Sequence, residues 1–205
     1  SFSFTNITDL TFPASVEELE TNSLSWKTEL PNDSKLKKVT KAFNNSNIVS
    51  IILPASVEYI DSECFSFTPN LKEIKISSEN KFFKEIDGTF IVNESVKGSG
   101  VFDSILIACR NIKSVKIPSY IKIINSFAFH KCKYLENITF DDNSLLEIIQ
   151  NYAFCLFSVG NLVFPSSLKE VGVRSLSGNR KLESIEFLSN NITVKESCLD
   201  KCNKI

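Results

Sequence analysis

The spacing of short apolar runs is the feature that most restricts the fold of this 205-residue chain. The last apolar residue of each run recurs at intervals of 18, 23, 23, 41, 23, 24 and 23 residues, at Phe12, Leu30, Leu53, Ile76, Ile117, Phe140, Phe164 and Phe187. Proline follows five of them directly and cannot donate a ladder hydrogen bond, so each run is predicted to be a strand that ends there. The chain is therefore predicted to be a repeat of about 23 residues, with one shortened and one enlarged coil.

A second landmark follows the first by 12 to 14 residues in almost every coil. It is a large apolar residue, found at Leu24, Phe43, Phe65, Phe129, Phe154, Leu176 and Leu199. A small residue usually precedes it, namely Ala42, Cys64, Ala128, Ala153, Ser175 and Cys198. One coil cannot bury these side chains by itself, so we predict that neighbouring coils stack and share a core ladder.

One nearly complete unit, residues 117–135, carries all of these features. Its markers are Ile117-Pro118-Ser119, then Ile121 and Ile124, then Ala128-Phe129, then Cys132 and Leu135. The pattern resembles the BspA-type leucine-rich repeat, and the resemblance extends from about residue 9 to residue 202. The last coils depart from it, with Leu176 and Leu199 in place of Phe, and the chain ends without an obvious polar cap. We expect further repeats or a capping segment to follow.

The resemblance and the spacing together define the predicted fold class. It is a β-rich α/β solenoid, a right-handed leucine-rich repeat superhelix of about eight 23-residue coils with short helical turns on its convex side. Residues 1–205 are predicted to form a single domain. The enlarged coil is predicted to contain an insertion, at about 78–110, with a β-hairpin whose strands are 90–92 and 105–107 and whose loop contains Lys97-Gly98-Ser99-Gly100.

Composition excludes several classes of partner. The formal net charge of -1 leaves no basic surface for nucleic acid or anionic membranes. The longest apolar stretches, at 48–53 and 105–109, are far shorter than the roughly 20 residues that span a bilayer. We therefore expect no nucleic-acid partner and no membrane span in this chain. The oligomeric state stays open.

Six cysteines allow three interpretations. Cys64 and Cys198 occupy the small-residue position of the ladder, while Cys132 and Cys202 occupy the position of the family's cysteine. Buried free thiols pack as small apolar groups, so this interpretation is favoured. A disulfide framework and a metal site are the alternatives, and the absence of a C-x-x-C pair argues against metal.

Catalytic groups are scarce in the sequence. His130 is the single histidine, and its place just beyond Ala128-Phe129 predicts a solvated residue on an outer turn. No nucleophile pairs with it, and no nucleophile elbow or phosphate-binding loop occurs. Acidic pairs such as Asp141-Asp142 are better explained as solvated turns. We expect no enzymatic activity, no cofactor and no metal.

Six Asn-x-Ser/Thr sequons provide possible N-glycosylation sites, at Asn6, Asn32, Asn44, Asn93, Asn137 and Asn191. Their number exceeds the chance expectation only modestly. Their use requires a eukaryotic secretory route, which the sequence does not establish. Glycosylation and chance composition both stay open.

The outward positions of successive strands are the remaining candidate site. They should align across the solenoid as a mostly polar strip with Ile52 and Val163 as its exposed apolar members, at Lys27, Glu29, Ser50, Ile52, Glu73, Lys75, Ser114, Lys116, Asn137, Thr139, Asn161, Val163, Ser184 and Glu186. The alternative for each residue is an ordinary solvated sheet surface.

The resemblance implies a cell-surface or secreted protein, since members in bacteria and some protozoan parasites are often exposed at the surface and adhesion to host proteins has been proposed for them. The predicted function is therefore adhesion or protein binding toward host cell or matrix proteins. An intracellular interaction scaffold is the alternative, because the cysteines look reduced and no signal sequence is present.

Overall fold

The computed structural model describes residues 9–11, 14–20, 27–29 and 33–205. In these ranges the chain consists of short strands and turns. The strands are β1 (Asp9–Thr11), β2 (Glu18–Glu20), β3 (Lys27–Glu29), β4 (Lys38–Thr40), β5 (Ser50–Leu53), β6 (Tyr59–Ile60), β7 (Glu73–Ile76), β8 (Phe83–Ile86), β9 (Phe90–Asn93), β10 (Ser104–Ala108), β11 (Ser114–Ile117), β12 (Ile123–Ile124), β13 (Asn137–Phe140), β14 (Ile148–Ile149), β15 (Asn161–Phe164), β16 (Glu170–Val171), β17 (Ser184–Phe187) and β18 (Thr193–Val194).

The strands predicted from the apolar runs form one side of the solenoid. They pair in parallel as three sheets, β1-β3-β5-β7, β11-β13 and β15-β17. Alternation along each strand decides which side chains are buried: in β5, Ile51 and Leu53 are buried and Ile52 is exposed. Pairing places residues one coil apart in register, with Ile51 opposite Ile74. The outward surface of these eight strands is named the strand face.

A second series of strands lies between the first-series strands along the chain. It forms the three-stranded sheet β2-β4-β6 and the seven-stranded sheet β18-β16-β14-β12-β10-β9-β8. Most of its strands are short, and their inward residues, such as Ile60, Ile124 and Val171, are buried. The paired apolar residues in the middle of each repeat therefore supply the second wall of the core.

The structure corrects two parts of the fold prediction. The chain makes about seven turns instead of eight coils, because the eight strands of the strand face bound seven turns. The described residues contain no helix, so the α/β class and the helical turns were wrong. Phe127 and Lys131, which flank the rung residue Phe129, have left-handed backbone with φ of 62° and 59°. Two such residues four positions apart tighten the turn and interrupt the consecutive right-handed residues that a helix needs.

The predicted ladder is confirmed for most of its rungs, the large apolar residues of the second landmark. Phe43, Phe65, Phe129, Phe154 and Leu176 are buried, and the small residues before them are buried as well. The rings of Phe129 and Phe154 stack with centroids 5.0 Å apart. Leu199 is 37% exposed, so the prediction is wrong there. Leu24 lies outside the described residues.

The enlarged coil, residues 77–113, contains three antiparallel strands where a two-stranded hairpin was predicted. Strand β9 pairs with β8 on one side and with β10 on the other. The side chains of β9 alternate between two hydrophobic clusters: Phe90 and Val92 join the cluster of the C-terminal coils, while Ile91 joins that of the N-terminal coils. The three strands therefore stand between the two halves of the core.

The enlarged coil also lacks a rung turn. Residues 109–113 join β10 to β11, whereas residues 125–136 join β12 to β13 in the next coil, and the shorter segment has no left-handed residue. The side chain of Arg110, which is 1% exposed, occupies this place. Its Nη1 donates to the carbonyl of Ala128 at 2.6 Å, and its Nη2 donates to the carbonyl of Phe65 at 3.2 Å. The Arg110 guanidinium thus connects the rung turns of the preceding and following coils, a connection that a rung turn of the enlarged coil would otherwise make.

His130 is also buried beside the enlarged coil, so the prediction of a solvated turn residue was wrong. Its side chain is 1% exposed, and its Nδ1 accepts a hydrogen bond from the backbone N–H of Phe67 at 3.3 Å. In the other coils the equivalent N–H bonds a backbone carbonyl of the next turn, as Lys131 bonds Cys155 at 2.9 Å. With no such turn in the enlarged coil, the imidazole supplies the acceptor.

Candidate protein-binding surface

The structure brings the predicted strip together on the strand face. All of its members with described side chains are exposed except Ser50, which is half-buried. Strand pairing sets them in rows, with Ser50 opposite Glu73 and Ile52 opposite Lys75. Glu29 lies opposite Ile52 in the backbone register. Lys27 belongs to β3, and the side chains of β3 lie outside the described set.

The same alignment recurs in the C-terminal half of the chain. Strand β13 sets Asn137 opposite Ser114 and Thr139 opposite Lys116. Strand β17 sets Ser184 opposite Asn161 and Glu186 opposite Val163, in the order that the strip predicted. Outward orientation follows from alternation of side chains along each strand, which is why exposure of these residues could be predicted from the sequence.

The strand face is interrupted between β13 and β15. These strands belong to separate two-stranded sheets, and a groove of about 560 Å³, the strand-face groove, lies over the break. Residues 141–147 connect β13 to β14, while residues 118–122 make the corresponding connection one coil earlier. The run that ends at Phe140 is also followed by Asp141, whereas five of the eight runs are followed by proline. The longer connection supplies one rim of the groove.

The lining of the strand-face groove combines apolar and acidic side chains. Val163 and Leu188, both about half exposed, and the partly buried Phe140 provide the apolar part. Asp142 is an exposed carboxylate at the rim. An exposed apolar centre with a polar margin is the arrangement found in protein-binding surfaces.

Asp141 is held in place by its neighbours. Its carboxylate lies 2.6 Å from the Lys116 ammonium and accepts a hydrogen bond from the backbone N–H of Ser119 at 3.2 Å. The hydrogen bond from Lys116 lowers the pKa of the Asp141 carboxyl, and the same contact raises the pKa of Lys116. Both groups are therefore charged at neutral pH. The ion pair holds Asp141 in place where it lines the strand-face groove.

The cysteine thiols are packed in the core. All six cysteines are free and buried, as predicted for the favoured interpretation. Burial raises the pKa of Cys64 to about 12 and that of Cys109 to about 11, so these thiols are protonated and poorly nucleophilic at neutral pH. Among the described residues, no group of three or more His, Cys, Asp or Glu side chains is arranged to hold a metal ion.

The His130 imidazole is not placed for acid–base chemistry. Burial, together with the positive charge of Arg110, lowers its pKa from 6.5 to about 3. The ring is neutral at physiological pH, and its Nδ1 is occupied by the Phe67 N–H. The sequence did contain a signal that the prediction missed. The position directly after the rung residue, which His130 occupies, is filled in other coils by the small residues Ser66, Cys155 and Ser177, and these are buried.

The sequons fall into three groups. Asn137 and Asn191 are exposed. Asn44 and Asn93 are half-buried: Asn44 donates to Ser66, and the Oδ1 of Asn93 is buried. Asn6 and Asn32 lie outside the described residues. Asn137 belongs to the strip and lines the strand-face groove as well.

These features define a leucine-rich repeat solenoid, a class that typically serves as a non-catalytic scaffold for protein interactions. The model of the BspA-type leucine-rich repeat region matches residues 1–97 and 100–205 with six copies of the repeat. The chain therefore belongs to the BspA-type leucine-rich repeat family. The comparison with curated proteins found no match.

Solved bacterial structures share the fold at low sequence identity. The pneumococcal vaccine antigen PcpA is 23% identical with a TM-score of 0.75, over 97% of this chain and 56% of that one. A leucine-rich repeat protein of Eubacterium ventriosum is 18% identical with a TM-score of 0.76, over 98% and 59%. A leucine-rich cell surface protein of Faecalibacterium prausnitzii is 18% identical with a TM-score of 0.68, over 97% and 58%. The chain thus spans little more than half the length of these proteins.

The described residues contain no helix of the length and apolarity needed to cross a bilayer.

Proposed function

We propose that this chain is a binding module of a cell-surface or secreted protein, and that its strand face binds a host cell or matrix protein. The observation that carries the proposal is the exposed apolar pair Val163 and Leu188 in the strand-face groove. Isolated exposed apolar residues are common, but these two share one concavity with an acidic rim. Family membership and the cell-surface description of one solved relative support the location.

The groove favours a partner with an apolar anchor and a basic margin. Val163 and Leu188 offer apolar contact. Two carboxylates, Asp141 and Asp142, lie near the single ammonium of Lys116, so negative charge remains in excess. Rim charges mainly set association rate and salt dependence, while the buried centre sets affinity. The apolar centre is therefore the part to mutate first.

The test is saturable binding of the 205-residue chain to an array of purified extracellular matrix proteins and to host cells. Val163→Glu should weaken binding at least tenfold, about 1.4 kcal/mol, because a carboxylate enters the apolar centre. Val194→Glu is the matched control, since Val194 is similarly exposed, at 45%, but belongs to β18 of the other sheet. Absence of saturable binding, or equal loss in both variants, would overturn the proposal.

The second candidate is an intracellular interaction scaffold, and the observation that favours it is the set of six free, buried thiols. Protease treatment of intact cells that produce the protein separates the two locations. Loss of the protein from treated cells supports the surface location. Full protection, with a digested surface control, supports the scaffold.

We also propose that, if the protein passes through a eukaryotic secretory route, Asn137 and Asn191 are the glycosylated sequons. Their exposed amides are accessible, whereas Asn44 is held by the Ser66 hydroxyl. A glycan on Asn137 would lie over the strand-face groove and oppose protein binding there. Mass spectrometry of the secreted protein, before and after glycosidase treatment, identifies the modified residues.

A further inference from the structure

A second groove lies away from the strand face, between β6 and the enlarged coil. Its volume is about 490 Å³, and it is named the edge groove. Tyr59 and Ile60 of β6 line one side, and Phe83 of β8 and Asn93 of β9 line the other. Strand β6 ends the three-stranded sheet and β8 ends the seven-stranded sheet. Two strand edges, which carry backbone groups able to pair with a further strand, therefore border the same space.

Asn93 leaves an acceptor unused at this groove. Its Nδ2 donates to the backbone carbonyl of Glu94 at 3.3 Å, but its Oδ1 is buried and has no hydrogen-bond partner among the described residues. Buried polar atoms are nearly always paired, so rotation of this side chain toward the groove would let its oxygen accept from a backbone N–H of a bound peptide.

Lysines outnumber carboxylates around the edge groove: Lys37, Lys38 and Lys97 line it together with Glu58 and Glu94. Lys37 lies 3.9 Å from Glu58, and the Glu94 carboxylate accepts hydrogen bonds from the backbone N–H groups of residues 98 and 100. Lys38 and Lys97 also line the groove, and in the described part of the chain no carboxylate pairs with either. An acidic side chain on the bound molecule would complement the excess positive charge of these lysines.

We propose that the edge groove binds an extended, acidic peptide segment of a partner protein, which adds as a β-strand between β6 and β8. Backbone hydrogen bonds along the strand edges supply affinity. Alternate side chains contact Tyr59 and Phe83, and the acidic residue meets Lys38 and Lys97. This site is separate from the strand face and does not depend on what the strand face binds.

The probe is a library of random linear twelve-residue peptides displayed on phage, selected on the immobilised 205-residue chain. Selected peptides should carry an acidic residue beside alternating apolar residues, and their synthetic forms should bind saturably. The double variant Lys38→Glu/Lys97→Glu should weaken binding at least tenfold. Lys181→Glu is the matched control, because Lys181 is an exposed lysine of a C-terminal coil. Circular dichroism melting verifies that each variant stays folded.

A second measurement separates strand addition from side-chain contact alone. Methylation of alternate backbone nitrogens in a selected peptide removes the ladder donors of one edge. Because one edge faces β6 and the other faces β8, binding should be weakened in both alternating patterns. Full binding by either methylated form would overturn the proposal, as would selection of no peptide or equal effects of the two charge-reversal proteins. Sedimentation shows whether the chain dimerises; a dimer that the double variant abolishes would assign the groove to a second copy and also overturn the proposal.

Discussion

The regular coils of residues 114–205 and the enlarged coil of residues 77–113 solve the same stacking problem differently. In the regular coils, backbone groups join one turn to the next: the Phe129 N–H donates to the Ala153 carbonyl at 2.8 Å. At the enlarged coil, the Ala108 N–H still donates to the Ala128 carbonyl, but side chains make the contacts that the missing turn would have made: Arg110 from that coil and His130 from the next coil. A repeat can therefore lose a whole turn if buried polar side chains replace its hydrogen bonds.

The difference teaches where sequence tolerance should lie. Backbone bonds in the regular coils place little demand on residue type, and Phe127, Tyr152 and Arg174 share one left-handed position. The replacement contacts demand particular donors and acceptors, because one guanidinium donates to the Ala128 and Phe65 carbonyls from two different nitrogens. Substitution of a buried polar residue should therefore destabilise the protein more at the enlarged coil than in the regular coils. In the regular coils, substitution of the apolar rung residues should destabilise it most.

The largest expected effect is in a regular rung. Phe129→Ala should lower the free energy of unfolding by about 3 to 5 kcal/mol, because the fully buried ring stacks on Phe154 and would leave a cavity. Urea denaturation followed by circular dichroism measures the change. Leu199→Ala, at the same landmark but partly exposed, is the control and should cost about 1 kcal/mol or less. Equal losses of stability in the two variants would show that burial of the rung residue does not determine its contribution.

A smaller effect is expected where side chains replace the turn. Arg110→Ala should lower the free energy of unfolding by about 2 to 4 kcal/mol, since two buried carbonyls each lose a charged donor and the guanidinium leaves a void. Arg180→Ala, at an exposed position, should change it by less than about 0.5 kcal/mol. The same denaturation experiment compares them, and indistinguishable midpoints would mean that Arg110 does not join the turns.

Over the measured range of pH 7 to 5, the smallest effect is a pH dependence from His130. Its folded pKa of about 3 lies below the unfolded value of 6.5, so the unfolded chain binds the proton more readily. Stability from this residue is complete above about pH 6.5 and is lost as pH falls toward 3, by at most about 1.4 kcal/mol per pH unit. His130→Asn keeps an acceptor but does not titrate. Parallel stability curves for the two proteins between pH 7 and 5 would contradict a buried, neutral imidazole.

The sequence was informative wherever one coil repeats another. Alternation within Ser50–Leu53 and the fixed offset to the rungs predicted strands, burial and the outward strip, because these features depend on neighbouring residues and their copies. It failed at the C-terminal rung Leu199 and in the convex turns. There, left-handed residues such as Tyr152 are of types that also occur in helices, so residue type alone did not exclude a helix.

The side-chain hydrogen bonds at the enlarged coil could not be predicted from the sequence for a different reason. Arg110 bonds the Phe65 carbonyl across 45 residues, and His130 accepts from Phe67 across 63. Neither pair repeats elsewhere, so no periodicity reports it. The strand-face groove was also missed: proline is absent after Phe140, but it is absent after Ile76 and Phe187 as well, so its absence alone does not mark the broken sheet.

The alternation of β9 between the two hydrophobic clusters has a consequence for how the protein unfolds. In most solenoids each coil contacts only its neighbours, and cooperativity spreads from coil to coil. Here the antiparallel strands carry apolar residues of both clusters on one backbone, with Ile91 between Phe90 and Val92. Opening either half exposes one side of the same strand and removes support from the other half. The enlarged coil therefore couples the two halves into one cooperative unit instead of forming a hinge between them.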